Sequence, residues 1–217
     1  MPTLILASAS PRRKELLERA GLQLRVLPAP VDEEPLPGET AVAYVKRLAR
    51  DKATATVRRI MAALGSDPRA AGDDPPRWVL GADTVVTADG LLLGKPSDHA
   101  EARAMLERLA GREHLVVTGF AILDLERDKE GIQAVSTRVR FKRMGRAEID
   151  AYLASGESMD KAGSYAIQGV GAYLVEEIEG SYTNVVGLPL AQVVSMLEEM
   201  GAWDLLPYAA QPRRPLS

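Results

Sequence analysis

The first apolar run, TLILA at residues 3–7, is continuous rather than alternating, the pattern of a strand covered on both faces. Ser10 and Pro11 follow as an N-cap and first-turn pair, Leu16, Leu17 and Ala20 mark one side of a helix, and Gly21 is suited to close it. LQLRVLP alternates like a second strand, so the opening predicts a βαβ unit. Between residues 39 and 64, Val42, Val45, Ala49, Ala53, Val57, Ile60 and Leu64 keep helical spacing and predict one long helix. Residues 65–77, GSDPRAAGDDPPR, predict an exposed loop. In WVLGADTVVTADGLLLGKP the first half reads as a buried strand and Asp89-Gly90 as a hairpin turn. Ser97 is the expected cap of a helix carrying Met105, Leu106 and Leu109 and closed by Gly111. HLVVTGFAILDL and AVSTRVRF predict two longer strands joined by ERDKEG, and RAEIDAYLAS a short helix. KAGSYAIQGVGAYLVEEIEG predicts strand on both sides of Gly169 and Gly171, and residues 189–200 an amphipathic helix before a frayed tail, QPRRPLS. The expected class is α/β: a mixed, twisted sheet flanked by helices, in two lobes around a central cleft.

Composition narrows the function classes. The chain has 217 residues, 46% of them apolar, enough for one sizeable domain. No apolar run is long enough to span a bilayer, and the start does not have the layout of a signal peptide. With no cysteine, thiol nucleophiles, disulfides and Cys-based zinc sites are excluded, which fits a cytoplasmic location. A net charge of −3 and 5% aromatic residues argue against a nucleic-acid binder. The only histidines are His99 and His114, so a metal would need hard oxygen ligands from Asp and Glu.

Several residues look wrong for folding alone. Arg12 and Arg13 stand at a helix N-terminus, where each basic side chain costs ~0.3–1 kcal/mol. With the helix end and the Ser8 and Ser10 hydroxyls they make an anion site at the carboxyl end of the first strand; the alternative is a solvated basic turn. Lys52 falls near the apolar stripe of its helix, and either snorkels to the surface or meets an anion in a cleft. Asp83, next to Thr84 in VLGADTVV, is a carboxylate at the end of an apolar strand: a turn or cap residue, a metal ligand or a proton acceptor. Lys95 sits in the loop GKP without a P-loop pattern, and Glu33 and Glu34 in VDEEP are surface charges or a source of a second metal ligand. Lys161 and Gln168 flank AGSYAI, and a glutamine amide complements the uracil or thymine edge. SYTNVVGLP reads equally as a binding loop or a structural one.

LASASPRRKELL, LARDKA, GADTVV, GKP, KAGSYAIQG and EGSYTNVVGLPL occur in that order. Together they closely resemble the Maf family of nucleoside triphosphate pyrophosphatases, from about Pro2 to about Gly201. The resemblance implies a single domain over residues 1–201 with a tail at 202–217. It implies hydrolysis of a nucleoside triphosphate to the monophosphate and pyrophosphate with a divalent metal, Mg²⁺ or Mn²⁺. Pro11-Arg12-Arg13, Asp83-Thr84 and Ile167-Gln168-Gly169 match the branch acting on dTTP and UTP, with modified pyrimidine nucleotides as further candidates. By the same resemblance Asp83 is the proton acceptor and Arg12, Thr84 and Gln168 govern substrate choice. The expected arrangement has Ser8, Arg12, Arg13, Lys52 and Lys95 around the triphosphate, Asp83 and Glu33 holding the metal, and Gln168 reading the base. Its partner is the nucleotide, not nucleic acid or membrane, and a homodimer stays open. Two rivals remain: the same chemistry on a modified purine or other non-pyrimidine nucleotide, and a non-catalytic nucleotide-binding regulator of cell division.

Overall fold

The computed structural model describes residues 2–66 and 75–207. β1 (Leu4–Leu6), α1 (Pro11–Arg19) and β2 (Leu24–Val26) form the expected βαβ unit, with β1 parallel to β2. β1 is also parallel to β3 (Trp78–Ala88), which turns through Asp89 and Gly90, both at positive φ, into β4 (Leu91–Leu93). β5 (Glu113–Asp124), β6 (Lys129–Phe141) and β7 (Val175–Glu179) continue antiparallel, giving the order β2-β1-β3-β5-β6-β7 with β4 also on β3. The sheet is thus mixed, open and seven-stranded among the described residues.

One face carries α2 (Ala41–Ser66), which lies unusually close. A Cβ on Gly81 would stand 2.1 Å from the Ala49 carbonyl oxygen, and one on Gly119 2.3 Å from that of Val45. Glycine in these two strand interiors therefore lets the helix backbone touch the sheet.

The other face holds two cores. Trp78, Leu80, Phe120 and Ile122 pack with Val193 and Leu197 of α6 (Leu190–Glu199). Val86, Val116, Val139 and Phe141 pack with Leu106 of α3 (His99–Leu109) and Ile149 and Leu153 of α4 (Arg146–Ala154). Between them run Thr84, Thr118 and Thr137, one threonine on each of three adjacent strands, covered by α5 (Tyr182–Val186). The two lobes are two cores on one face of a continuous sheet, divided by a polar row.

Several local expectations are corrected. α2 starts at Ala41 because the Thr40 hydroxyl caps it, accepting from Ala43 N at 3.2 Å, and Val42 is exposed rather than on the buried stripe. α3 is capped by Asp98, not Ser97: Asp98 Oδ1 accepts from Glu101 N at 2.8 Å, while Ser97 donates its amide and hydroxyl to the Glu101 carboxylate. The turn after β5 is shorter than ERDKEG, since β6 begins at Lys129 after Asp128 at φ 51°. The segment around Gly169 and Gly171 is not strand on both sides. It forms 3-10 turns at Ala162–Ser164 and Val170–Leu174, and only Val175–Glu179 is strand. Left-handed backbone at Gly163, Ser164 and Gly169 breaks the extended chain, and the Glu157 carboxylate takes the Val170 and Gly171 amides in place of a ladder. Residues 67–74 of the expected loop and the QPRRPLS tail lie outside the described residues. Ala202, Leu205 and Leu206, the beginning of the segment set off as a tail, are buried in the first core.

Candidate active site

The site arises from a gap in strand pairing. β5 covers one edge of β3 along nearly its full length. The other edge is shared: β1 pairs with Trp78–Leu80 and β4 with Val86–Ala88, leaving residues 81–85 between them without a strand partner on that edge. That free stretch borders a cleft of about 790 Å³ at the carboxyl end of β1. Strand alternation sends Asp83 to the α2 face and Thr84 to the opposite face, and the gap gives the cleft access to both.

On the α2 side Lys52 Nζ lies 2.6 Å from Asp83 Oδ1 and 2.6 Å from Glu33 Oε1. Lys52 and Asp83 are nearly buried, whereas Glu33 is half exposed. The contact between helix and sheet at Gly81 and Gly119 brings Lys52 within reach of β3. Glu33 belongs to an irregular segment after β2, which α2 side chains pin by its backbone. The Tyr44 hydroxyl donates to Glu33 O at 2.8 Å, Arg47 to Glu34 O, Thr56 to Leu27 O and Arg59 to Pro28 O. Burial pushes the Glu33 carboxyl up, but the hydrogen bond and charge of Lys52, helped by Lys95 and Arg13, bring it below its ordinary value. Burial, then the charges of Asp83 and Glu33, push the Tyr44 phenol up to about 12.

The two carboxylates therefore converge on a point held by a cation, and one ammonium between two carboxylates leaves one negative charge. Hard oxygen donors of this kind, one or two carboxylates completed by substrate phosphates and water, fit Mg²⁺ or Mn²⁺. Among the described residues no third His, Cys, Asp or Glu joins them.

On the opposite side the paired arginines part company. Among the described residues no hydrogen bond or ion pair holds the half-buried Arg12 guanidinium; burial pushes the nearby Asp160 carboxyl up, but the hydrogen bond and charge of Lys161, helped by the Arg12 charge, bring it below its ordinary value. Arg13 is buried and turned inward. Its Nε donates to Gly187 O at 2.8 Å, Nη1 to Ser8 Oγ and to Ala82 O at 2.9 Å each, and Nη2 to Thr84 Oγ1 at 2.9 Å. Burial holds this guanidinium below its ordinary value, with the Asp83 charge opposing. Ser10 caps α1 as expected: Arg13 N donates to its hydroxyl and Lys14 N to its carbonyl. Since Pro11 has no amide hydrogen, the Arg12 amide is the remaining first-turn donor.

Ser8, Arg12, Arg13, Lys52, Asp83, Thr84, Lys95 and Glu33 all border this one cleft, Lys95 from its exposed rim. Gln168 does not. It is half-buried on the turn after Ile167, while Asp160, Lys161 and Tyr165 of the same segment line the cleft. The chain pattern gave no notice of Tyr44 or Tyr165. Its one available signal for the polar backing was a threonine within each of two apolar strands, Thr84 in β3 and Thr118 in β5. SYTNVVG supplies that backing: Asn184, fully buried, donates from Nδ2 to Val116 O and Thr137 Oγ1, and Val185, Val186 and Gly187 line the cleft.

The Maf-like protein family matches residues 3–200. The chain belongs to the Maf family. It is 52% identical over 200 residues to a dTTP/UTP pyrophosphatase of Citrifermentans bemidjiense, covering 92% of this chain and 96% of that one. A Geobacter sulfurreducens protein of the same name is 50% identical over 199 residues, covering 92% and 97%, and one from Syntrophus aciditrophicus 47%, covering 92% and 90%. The Maf match thus spans the whole described sheet and both sides of the cleft. No described helix is long and apolar enough to cross a membrane.

Proposed function

We propose that this Maf protein is a dTTP/UTP pyrophosphatase, hydrolysing either nucleotide to its monophosphate and pyrophosphate. The observation that carries the reading is the charge layout of one cleft. A carboxylate pair around Lys52 lies on one side of β3, and a helix N-terminus with Arg12 lies on the other. A triphosphate needs both, cationic groups for its oxygens and a carboxylate beside the bond to be broken.

Arg12, Lys95 and the Arg12 amide receive phosphate oxygens. Asp83 orients the attacking water and accepts its proton. Asp83 and Glu33 would hold the divalent cation, and Lys52, which lies between them, is the cation that would reach the phosphates from that side. Mg²⁺ or Mn²⁺ held there would supply charge neutralisation for the phosphates. The experiment is a panel of pyrimidine and purine triphosphates, with pyrophosphate release measured in Mg²⁺ and in EDTA. Release from dTTP and UTP, lost in EDTA, is expected. Faster release from a purine nucleotide, or binding of UTP without turnover in Mg²⁺ or Mn²⁺, overturns the reading.

A further inference from the structure

Arg13 borders the cleft, yet Nε, Nη1 and Nη2 all donate to protein oxygens on three separate segments: Ser8, residues 82–84 of β3, and Gly187. Behind it the hydrogen bonds are ordered. A guanidinium only donates and a carbonyl only accepts. Thr84 Oγ1 therefore accepts from Arg13 Nη2, and its own proton faces Thr118 Oγ1 at 2.9 Å and Gly187 O at 3.4 Å, while Thr118 Oγ1 lies 3.1 Å from Asn184 O. The consequence in front falls on Ser8, which is 6% exposed. Its Oγ accepts from Arg13 Nη1 at 2.9 Å and from Ser10 N at 3.3 Å, so both acceptor positions are engaged. Its own proton has no acceptor among the described residues, and Ser8 lines the cleft.

We propose that Arg13 is a positioning residue, held from behind by Thr84, that fixes the Ser8 hydroxyl as an obligate donor to an anionic oxygen of the ligand. Direct contact between Arg13 and a phosphate would strip the buried Ala82 carbonyl of its Arg13 donor and leave the Gly187 carbonyl with only the longer Thr84 Oγ1 contact at 3.4 Å, a penalty that Arg12 does not face. Lysine separates the two roles. A lysine ammonium is itself a good phosphate ligand, but it lacks the planar fork that reaches four acceptors at once.

The test rests on the nucleotide reading for the choice of ligand only, and is a double-mutant cycle of S8A and R13K. Each variant is read by the dissociation constant of a UTP analogue with a non-hydrolysable α,β-imido link, and by KM and kcat for UTP. Each single change is expected to weaken binding about tenfold, the size of one charge-assisted hydrogen bond, mostly in KM. The double variant is expected to be no more than about twofold worse than either single one, because both remove the same donor. T84V, which keeps the Arg13 charge, is expected to weaken binding severalfold, and T84S to restore it. Melting temperatures confirm that each variant is folded. Multiplicative losses in the cycle, R13K binding like the unmodified protein, equal T84V and T84S affinities, or no analogue binding by the unmodified protein overturn the proposal. UTP turnover with a multiplicative cycle removes this inference and leaves the pyrophosphatase. A coupled cycle without turnover removes the pyrophosphatase and leaves the inference.

Discussion

The two sides of β3 handle a buried cation in opposite ways. On the α2 side, Lys52 meets two carboxylates, so the cluster is net negative and attracts a further cation. On the far side, Arg13 meets only carbonyls and hydroxyls, so its cluster keeps a whole positive charge. The first arrangement exchanges partners readily: a point charge on a flexible stem, next to a half-exposed Glu33. The second is locked by its fork geometry. A cleft with one negative exchangeable wall and one positive fixed wall suits a ligand that arrives as a polyanion with a metal ion. It also explains why two adjacent arginines have different uses.

The largest expected effect breaks the negative wall. Asp83→Asn keeps the shape but removes the carboxylate proposed to accept the proton, and UTP turnover is expected to fall by about 10³-fold. Binding of the non-hydrolysable analogue should fall far less. A rate within tenfold of the unmodified enzyme would take Asp83 out of the chemistry.

Next comes the contact that delivers Lys52 to that wall. Gly119→Ala places a Cβ on the Val45 backbone, which no rotamer change relieves, and is expected to cost about 3 kcal/mol in a denaturant titration. Gly94→Ala is the control: nothing lies within 4 Å of a Cβ there, so a change of about 0.5 kcal/mol or less is expected. Equal midpoints for the two variants would mean that the helix is not seated on the sheet at Gly119.

The sequence made one of these walls much easier to read than the other. Lys52 and Asp83 stand out because a charge among apolar residues needs a partner, and partner and cleft proved to be the same place. The βαβ start, the long helix and the hairpin were legible because periodicity and turn chemistry are local. Nothing local distinguishes Arg13 from Arg12, so from the chain alone the pair reads as two phosphate contacts. Apart from the nearby Ser8, the partners of Arg13 are Ala82, Thr84 and Gly187, far along the chain, and two of these three are backbone carbonyls that carry no sequence signature. The 161–174 segment failed for a related reason. Its apolar content resembles strand, but a glutamate thirteen residues upstream supplies the hydrogen bonds that a neighbouring strand would give.

The second core behind the fixed wall contains a further buried base, His114, 3% exposed, with Nε2 2.9 Å from the Tyr165 hydroxyl and no partner for Nδ1 among the described residues. Burial lowers its pKa to about 4 from 6.5. Above pH 6.5 the ring is neutral in both folded and unfolded chains, and its contribution is complete. As pH falls from 6.5 toward 4 the unfolded chain takes up a proton that the folded one refuses, so stability drops by up to about 3 kcal/mol. His114→Phe should flatten that part of the curve between pH 7 and 4.5, read from denaturant midpoints. Parallel curves for the two proteins would show that other groups set the acid limit.

The smallest expected effect concerns Gln168, which the cleft does not include. The turn bearing it is held on both flanks by one pair: Tyr152 Oη accepts from Ala166 N at 3.2 Å and donates to Glu157 Oε2 at 3.1 Å, and that carboxylate takes the Val170 and Gly171 amides. Tyr152→Phe removes the hydroxyl without a cavity, leaving the Ala166 amide unpaired while Glu157 keeps its amides. A loss of about 1 kcal/mol is expected. If Gln168 acts on the nucleotide through the placement of this turn, the UTP-to-CTP ratio of kcat/KM should fall about threefold in Y152F and further in Q168E. If Y152F loses stability with the ratio unchanged, the turn is scaffolding for Tyr165 and Lys161, and base selection belongs to the residues already lining the cleft.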